Sequence, residues 1–262
     1  IRKQNRLKKI ITGGGAGRAG LAGTGLKSTA SVKPNGRVIA VEDLNDWIGC
    51  LGGHPQSQTP HIDRLAAQGM LFTNAHCQGT MCNPSRISLL WGKRPSSTGF
   101  YSNHYHISKE PKFLRTHTSL PDYFADHGYR TISTGKIFHT HAHKPDIEGP
   151  RPGQWRGGLD QKVHDKPKKW HRTWDFGPQD YDESKFTDHI TASWIVDQLA
   201  QEHESPLFLS IGFYRPHVPF FPPRRVYDAL RDVALPEVDP NDWDDLPEAA
   251  AQVTLSNPKI AV

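Results

Sequence analysis

The sequence holds no apolar run near the length of a membrane span, no Cys-x-x-Cys pair and no excess of acidic residues. The first absence leaves nothing that reads as a bilayer-crossing helix. The second excludes a zinc ribbon, which draws its thiolates from closely spaced cysteine pairs. Only Cys50, Cys77 and Cys82 are present, and they do not reveal a redox compartment. The third leaves 32 Lys and Arg against 27 Asp and Glu, a net charge of +5. This mild balance favours anionic ligands weakly. It does not point to nucleic acid, because basic clusters such as residues 164–172 are broken by proline and tryptophan. That cluster reads as a solvated face, with contact to an anionic substrate as the alternative.

At 262 residues and 35% hydrophobic content, the chain can bury one substantial core. Residues 1–36 differ from the remainder. A basic stretch from Arg2 to Lys9 runs into Gly13, Gly14, Gly15, Gly17, Gly20, Gly23 and Gly25 without a hydrophobic period. Ile10-Ile11 is too short for the apolar centre of a secretory leader, so no convincing signal peptide is visible. A phosphate loop is excluded as well, since no strand precedes the glycines and no Gly-Lys-Ser or Gly-Lys-Thr follows. Residues 1–36 are expected to be a disordered or degraded leader.

From Arg37 the pattern alternates. Arg37 to Val41 reads as a strand ending in Glu42-Asp43, at the end of a strand where side chains face a crevice. Thr59 to Gly69 reads as a helix with an N-cap threonine, a proline at its first position and a closing glycine. Residues 71–75 read as a strand, and Ser85 to Trp91 as a helix with Cys82 just before its first turn. A helix over Leu120 to His127, stopped by Gly128, precedes a strand over Tyr129 to Thr134. Phe186, Ile190, Trp194, Ile195 and Leu199 fall at helical spacing and are expected in the core, followed by a buried strand over Leu207 to Phe213. Residues 141–181 lack a period and read as a long surface excursion near the site. This order predicts an α/β sandwich with a mostly parallel sheet, helices on its faces and right-handed crossovers.

The most informative segment is Cys82-Asn83-Pro84-Ser85-Arg86, followed by Gly92-Lys93-Arg94-Pro95. Four fixed identities of this kind arise by accident in about one chain in a thousand of this length. The run resembles the signature of the sulfatase family, in which the cysteine of Cys-x-Pro-Ser-Arg is oxidised to formylglycine. Val41-Glu42-Asp43-Leu44, Thr59-Pro60-x-Ile62-Asp63-x-Leu65 and Gly128-Tyr129-x-Thr131 follow the family order. So do Gly135-Lys136-Ile137-Phe138-His139 and Arg215-Pro216-His217-Val218-Pro219-Phe220, which look most like the iduronate-2-sulfatase branch and its bacterial relatives. The resemblance covers most of residues 37–233. It implies an alkaline-phosphatase-like fold in which residues 37–262 are the N-terminal part of a catalytic domain.

Hydrolysis of an anionic sulfate ester needs a nucleophile, charge neutralisation and a proton for the leaving alcohol. The resemblance implies that a formylglycine-generating enzyme converts Cys82, whose aldehyde hydrate attacks sulfur with one hydroxyl and expels sulfate with the other. A nucleophile at a helix N-terminus would set the anion beside amide N–H groups and a favourable dipole. Glu42 and Asp43, with position 82, match the family's divalent-cation ligands, and calcium is the usual ion because it selects hard oxygens. The family usually has Asp where Glu42 stands. By the same resemblance Arg86 neutralises the hydrate or its ester, Lys136 binds sulfate, and His139 deprotonates the second hydroxyl. His217 would serve the leaving-group oxygen. Without the motif, each histidine would read as a structural or surface residue, and Glu42-Asp43 as a solvated turn.

His139, His141 and His143 alternate and could suggest zinc, but the neighbouring carboxylates favour calcium. Asp126-His127-Gly128 imitates the family's second metal segment, yet it sits at a helix end directly before a strand and reads as a helix terminus. Oxidation of Cys82 would leave Cys50 and Cys77, which read as two buried thiols in preference to a disulfide. Nothing after His217 supplies the family's later Asp and His or Asn, or its further lysine, and the chain opens on Ile1. A chain lacking its C-terminal part is therefore expected. The expected function is a sulfuric ester hydrolase acting on sulfated sugars or polysaccharides, periplasmic or secreted by resemblance. The alternatives are a phosphodiester or phosphonate ester hydrolase, and a non-catalytic fragment or pseudoenzyme that binds anionic glycans.

Overall fold

The computed structural model describes residues 33–139 and 175–255, apart from 105, 106, 108, 109, 238, 240, 242, 243 and 245. Residues 1–32, most of the expected 141–181 excursion, the 164–172 cluster, His141 and His143 lie outside the described residues. Gly36 already belongs to the first strand, one residue before its expected start at Arg37, and Asn35 Oδ1 accepts from Leu207 N–H at 2.7 Å.

Three parallel strands form the sheet: β1 (Gly36–Val41), β2 (Arg130–Gly135) and β3 (Leu207–Phe213), in the order β1-β3-β2. The most apolar run takes the central place, because a strand between two parallel neighbours must be apolar on both faces. On one face Leu207, Leu209 and Ile211 join Ile132 of β2 and Ile195 of α6 (Thr187–Ala200) in a core. On the other, Phe208 stacks on Phe124 of α5 (Leu120–Asp126) with centroids 4.0 Å apart. Ala40 of β1 joins Ile87, Leu90 and Trp91 of α2 (Cys82–Trp91) in a second core on that side. Helices thus cover both faces of a parallel sheet, as the alternating pattern predicts. No helix among the described residues is long and apolar enough to cross a membrane.

Several local expectations change. Residues 71–75 form a turn instead of a strand, with Phe72 exposed. A short apolar segment has no register unless a neighbour takes its hydrogen bonds. Helix α2 starts at Cys82, three residues earlier than predicted, because a first-turn proline such as Pro84 forfeits no helical hydrogen bond. Thr59 stands at the N-cap of α1 (Pro60–Gln68) but does not cap it by its side chain. Its hydroxyl instead donates to Asp63 Oδ1 at 3.0 Å and accepts from Gly49 N–H at 2.8 Å. Leu199, placed in the core by its spacing, is 40% exposed in the last turn of α6, while Thr191 is fully buried. Gly128 has φ +81° directly after α5, so Asp126-His127-Gly128 is a helix terminus.

Candidate active site

All three strands deliver chemistry at their carboxyl ends. Beyond β1, Glu42 N–H donates to Phe213 O at 3.1 Å, which continues the ladder by one residue and fixes the Glu42 side chain in the interior. Asp43 follows with φ +53°, a left-handed conformation that Asp tolerates better than most residues. One carboxylate is therefore buried and the next half-exposed. At the end of β2, a Cβ on Gly135 would fall 2.0 Å from Gly212 O, and one on Gly212 would fall 1.8 Å from Lys136 O. These two glycines let the backbones close up, and Lys136 N–H donates to Gly212 O at 2.8 Å. Beyond β3, Asp188 of α6 accepts from Tyr214 and Arg215 N–H, both at 2.8 Å, and so anchors the turn that carries His217.

Glu42 stands between two buried cations. Arg86 Nη2 pairs with its Oε2, and Lys136 Nζ donates to its Oε1 at 2.7 Å. Arg86 lies one helical turn past Cys82 and also donates to Lys136 O, and to Ile137 O at 3.0 Å. Lys136 Nζ lies 3.8 Å from Cys82 Sγ and 5.5 Å from the centroid of the Tyr214 ring. Burying three isolated charges would be costly, and this pairing offsets the cost. Desolvation still lowers Arg86 to about 10 and Lys136 to about 8. Arg86 is thus cationic at neutral pH, and Lys136 loses its proton a little above it. Burial also pushes the Cys82 thiol up, opposed by the Lys136 cation.

His217 lies below the ordinary histidine range, first through burial and then through the nearby Lys136 cation, so its ring is neutral at pH 7. Its Nδ1 bonds Val218 O at 2.6 Å, which makes Nδ1 the protonated nitrogen. That tautomer turns an Nε2 lone pair to the site, 3.9 Å from Asp43 Oδ2. The ligand atoms of Glu42, Cys82 and His217 lie within 4.8 Å of one another. A cavity of about 430 Å³ opens here, lined by Glu42, Asp43, Cys82, Ser85, Arg86 and Asn103 among others. Of the residues singled out from sequence, Glu42, Asp43, Cys82, Arg86, Lys136 and His217 therefore meet. His139, half-buried three residues past Lys136, stands outside the three-residue cluster.

Two further expectations are corrected. The first-turn amides of α2 do not form an open row for an anion: Asn83 N–H donates to Asn103 Oδ1 at 2.9 Å, Pro84 has none, and Ser85 N–H donates to Met81 O at 3.0 Å. The cation beside position 82 is a side chain instead, Lys136 Nζ at 3.8 Å from Cys82 Sγ. No disulfide joins any of the three cysteines, and Cys50 and Cys77 are half-buried instead of fully buried. Cys77 lines the same cavity and donates to Ser85 Oγ at 3.1 Å. Tyr214, Asp188 and Asn103 were not foreseen. Tyr214 was within reach of the strand-end argument that found Glu42, since it directly follows β3. Asp188 and Asn103 carry no local signal, because their partners lie 26 and 20 residues away.

Glu42 and Asp43 are hard donors of the kind calcium selects, and each Glu42 oxygen keeps lone pairs beyond the one its cation uses. The donor set fits part of a divalent-cation shell, with Arg86 and Lys136 orienting Glu42 from outside.

Cys82 thus lies beside the buried Lys136 at the carboxyl edge of a parallel sheet. The Sulfatase family model matches residues 34–239, and the chain belongs to the sulfatase family. It is 32% identical over 242 residues to a sulfatase of Formosa agariphila, covering 84% of this chain and 47% of that protein. It is 31% identical over 234 residues to iduronate 2-sulfatase of Homo sapiens, covering 81% and 40%. The chain thus spans about half the length, or less, of these relatives. The solved phosphonate monoester hydrolase of Agrobacterium radiobacter superposes with a TM-score of 0.56 at 18% identity, over 78% of this chain and 45% of that one. The fold is the alkaline-phosphatase-like α/β class.

Proposed function

We propose that the protein hydrolyses sulfate monoesters, with sulfated sugars or polysaccharides as substrates and formylglycine made from Cys82 as the nucleophile. The observation that supports this reading is that Cys82 and the buried Arg86 line one cavity, with the buried Lys136 Nζ 3.8 Å from the Cys82 sulfur. In this reading a formylglycine-generating enzyme acts on Cys82, and the product's hydrate supplies the attacking hydroxyl and a second one for sulfate release. Calcium, held by Glu42, Asp43 and position 82, would draw charge from the sulfate oxygens.

The chain's own residues have separable tasks. Arg86 and Lys136 take the sulfate oxygens, acting in a buried site where a charge is worth more than in water. Glu42 fixes both cations from behind and cancels one of their charges. His217, with its lone pair on Nε2, takes the proton of the attacking hydroxyl and delivers it to the leaving oxygen. His139 enters as base for the second hydroxyl by family resemblance alone. A periplasmic or secreted location accompanies this reading on the same ground.

The test is a comparison of rates on an aryl sulfate and an aryl phosphodiester by the mature protein with calcium present. Faster turnover of the sulfate is expected. A faster phosphodiester rate would transfer the site to the superfamily's other hydrolases, and glycan binding without turnover and with an intact Cys82 thiol would make it a binding module.

A further inference from the structure

We propose that Asn83 and Asn103 form a reciprocal clasp that positions the nucleophile at residue 82, which makes Asn103 a positioning residue for the reaction proposed above. Helix α2 begins at Cys82 with Met81 in the N-cap place, and Met81 offers no side-chain acceptor. The first amides of a helix need partners from outside it. Asn103, twenty positions downstream, supplies one: its Oδ1 accepts from Asn83 N–H at 2.9 Å. Asn83 answers with its own side chain, whose Nδ2 donates to Ser102 O at 3.1 Å. Asn83 is 3% exposed, and Asn103 lines the cavity that holds Cys82.

The consequence for residue 82 follows from peptide planarity. The Cys82 Cα and carbonyl and the Asn83 N–H belong to one rigid plane, so a bond that fixes the N–H fixes the orientation of the plane from which the Cys82 side chain is hung. The loop carrying Asn103 is itself anchored, because Phe100 and Ile107 on either side of it lie in the core with Ile87 and Leu90 of α2. The clasp therefore ties the nucleophile to the packed body of the protein. Asn83 is the unconstrained position of the Cys-x-Pro-Ser-Arg motif, so this chain uses a place that the motif leaves free.

The test begins with hydrogen exchange at the Asn83 amide, resolved by nitrogen-15 NMR in the chain with its thiol. In Asn103→Ala that amide should exchange at least about tenfold faster, while the β3 amides of Leu209 and Ile211 keep their rates. Asn103→Asp keeps an acceptor oxygen and should restore protection. Asn83→Ala removes only the return bond and should give a smaller acceleration. In the formylglycine-bearing protein, Asn103→Ala should lower kcat on an aryl sulfate by about tenfold to a hundredfold, with KM within about twofold, because Arg86 and Lys136 are untouched. Unchanged Asn83 exchange in Asn103→Ala would overturn the clasp. Equal acceleration in β3, or a loss carried by KM, would overturn the positioning role in favour of a general structural one. If the unaltered protein hydrolyses no sulfate ester, the sulfatase reading fails, and the exchange rates and the Asn103→Asp rescue decide the clasp by themselves.

Discussion

The face of the sheet beneath α6 and the edge from which Glu42 and Lys136 emerge are built on the same strands, yet they obey opposite rules. Under α6, Ile132, Leu207, Leu209 and Ile211 are at most 2% exposed and carry no charge. At the edge, Glu42, Arg86 and Lys136 are each 5% exposed or less, and all three are ionisable. The first region stabilises by removing apolar surface from water. The second spends stability on desolvated charges and keeps a strong field for an anion in return. Glu42 separates the two outcomes, since without it the edge would hold two unbalanced cations.

The largest expected effect comes from removing that balance. Glu42→Ala should destabilise the fold by about 3–5 kcal/mol, because Arg86 and Lys136 are left buried and uncompensated. Chemical denaturation would measure this, and an unchanged midpoint would mean that the charges are solvated. On the apolar side, Leu209→Ala should cost about 2–5 kcal/mol through the cavity it leaves, with sulfate binding nearly unaltered. A large loss of sulfate affinity in that variant would show that the two regions are one coupled unit.

A third effect concerns pH. Burial lowers Lys136 to about 8, and an anion prefers its charged form, so sulfate affinity should fall as pH rises through that value. The expected slope is about tenfold per pH unit above it for one required proton. Calorimetric titration with inorganic sulfate from pH 6 to 9 is the measurement, and Lys136→Arg should flatten the profile. A flat profile in the unaltered protein would assign the anion to Arg86 alone. The smallest effect lies away from both regions. Ser119 caps α5 by accepting from Asp122 N–H at 3.2 Å, so Ser119→Ala should cost only about 1 kcal/mol and leave sulfate binding unchanged.

The contrast also explains what could be read from the residues alone. Leu207 to Phe213 was visible because a central parallel strand needs apolar residues on both faces, and Gly128 because a helix stop favours positive φ. Cys82, Arg86, Lys136 and Glu42 stood out because they fall in segments that resemble sulfatase motifs, and the fold brings them together. Residues 71–75 misled because a short apolar segment does not say whether a strand lies beside it. The Asn83–Asn103 bonds and the grip of Asp188 on Tyr214 and Arg215 stayed hidden, since each joins segments whose proximity only the folded chain creates. The tautomer of His217 was hidden for a different reason, as it depends on the local backbone and ring rotamer that bring Nδ1 to the neighbouring Val218 O.

The account rests most on Cys82 as the origin of the nucleophile. Its most direct test combines peptide mass analysis of residue 82, after co-expression with a formylglycine-generating enzyme, with aryl sulfate turnover by the same sample and by Cys82→Ala. The account predicts an aldehyde at position 82, calcium-dependent hydrolysis, and loss of at least about a thousandfold in kcat/KM in the variant. A residue 82 that remains wholly thiol, or hydrolysis that survives Cys82→Ala, would contradict it.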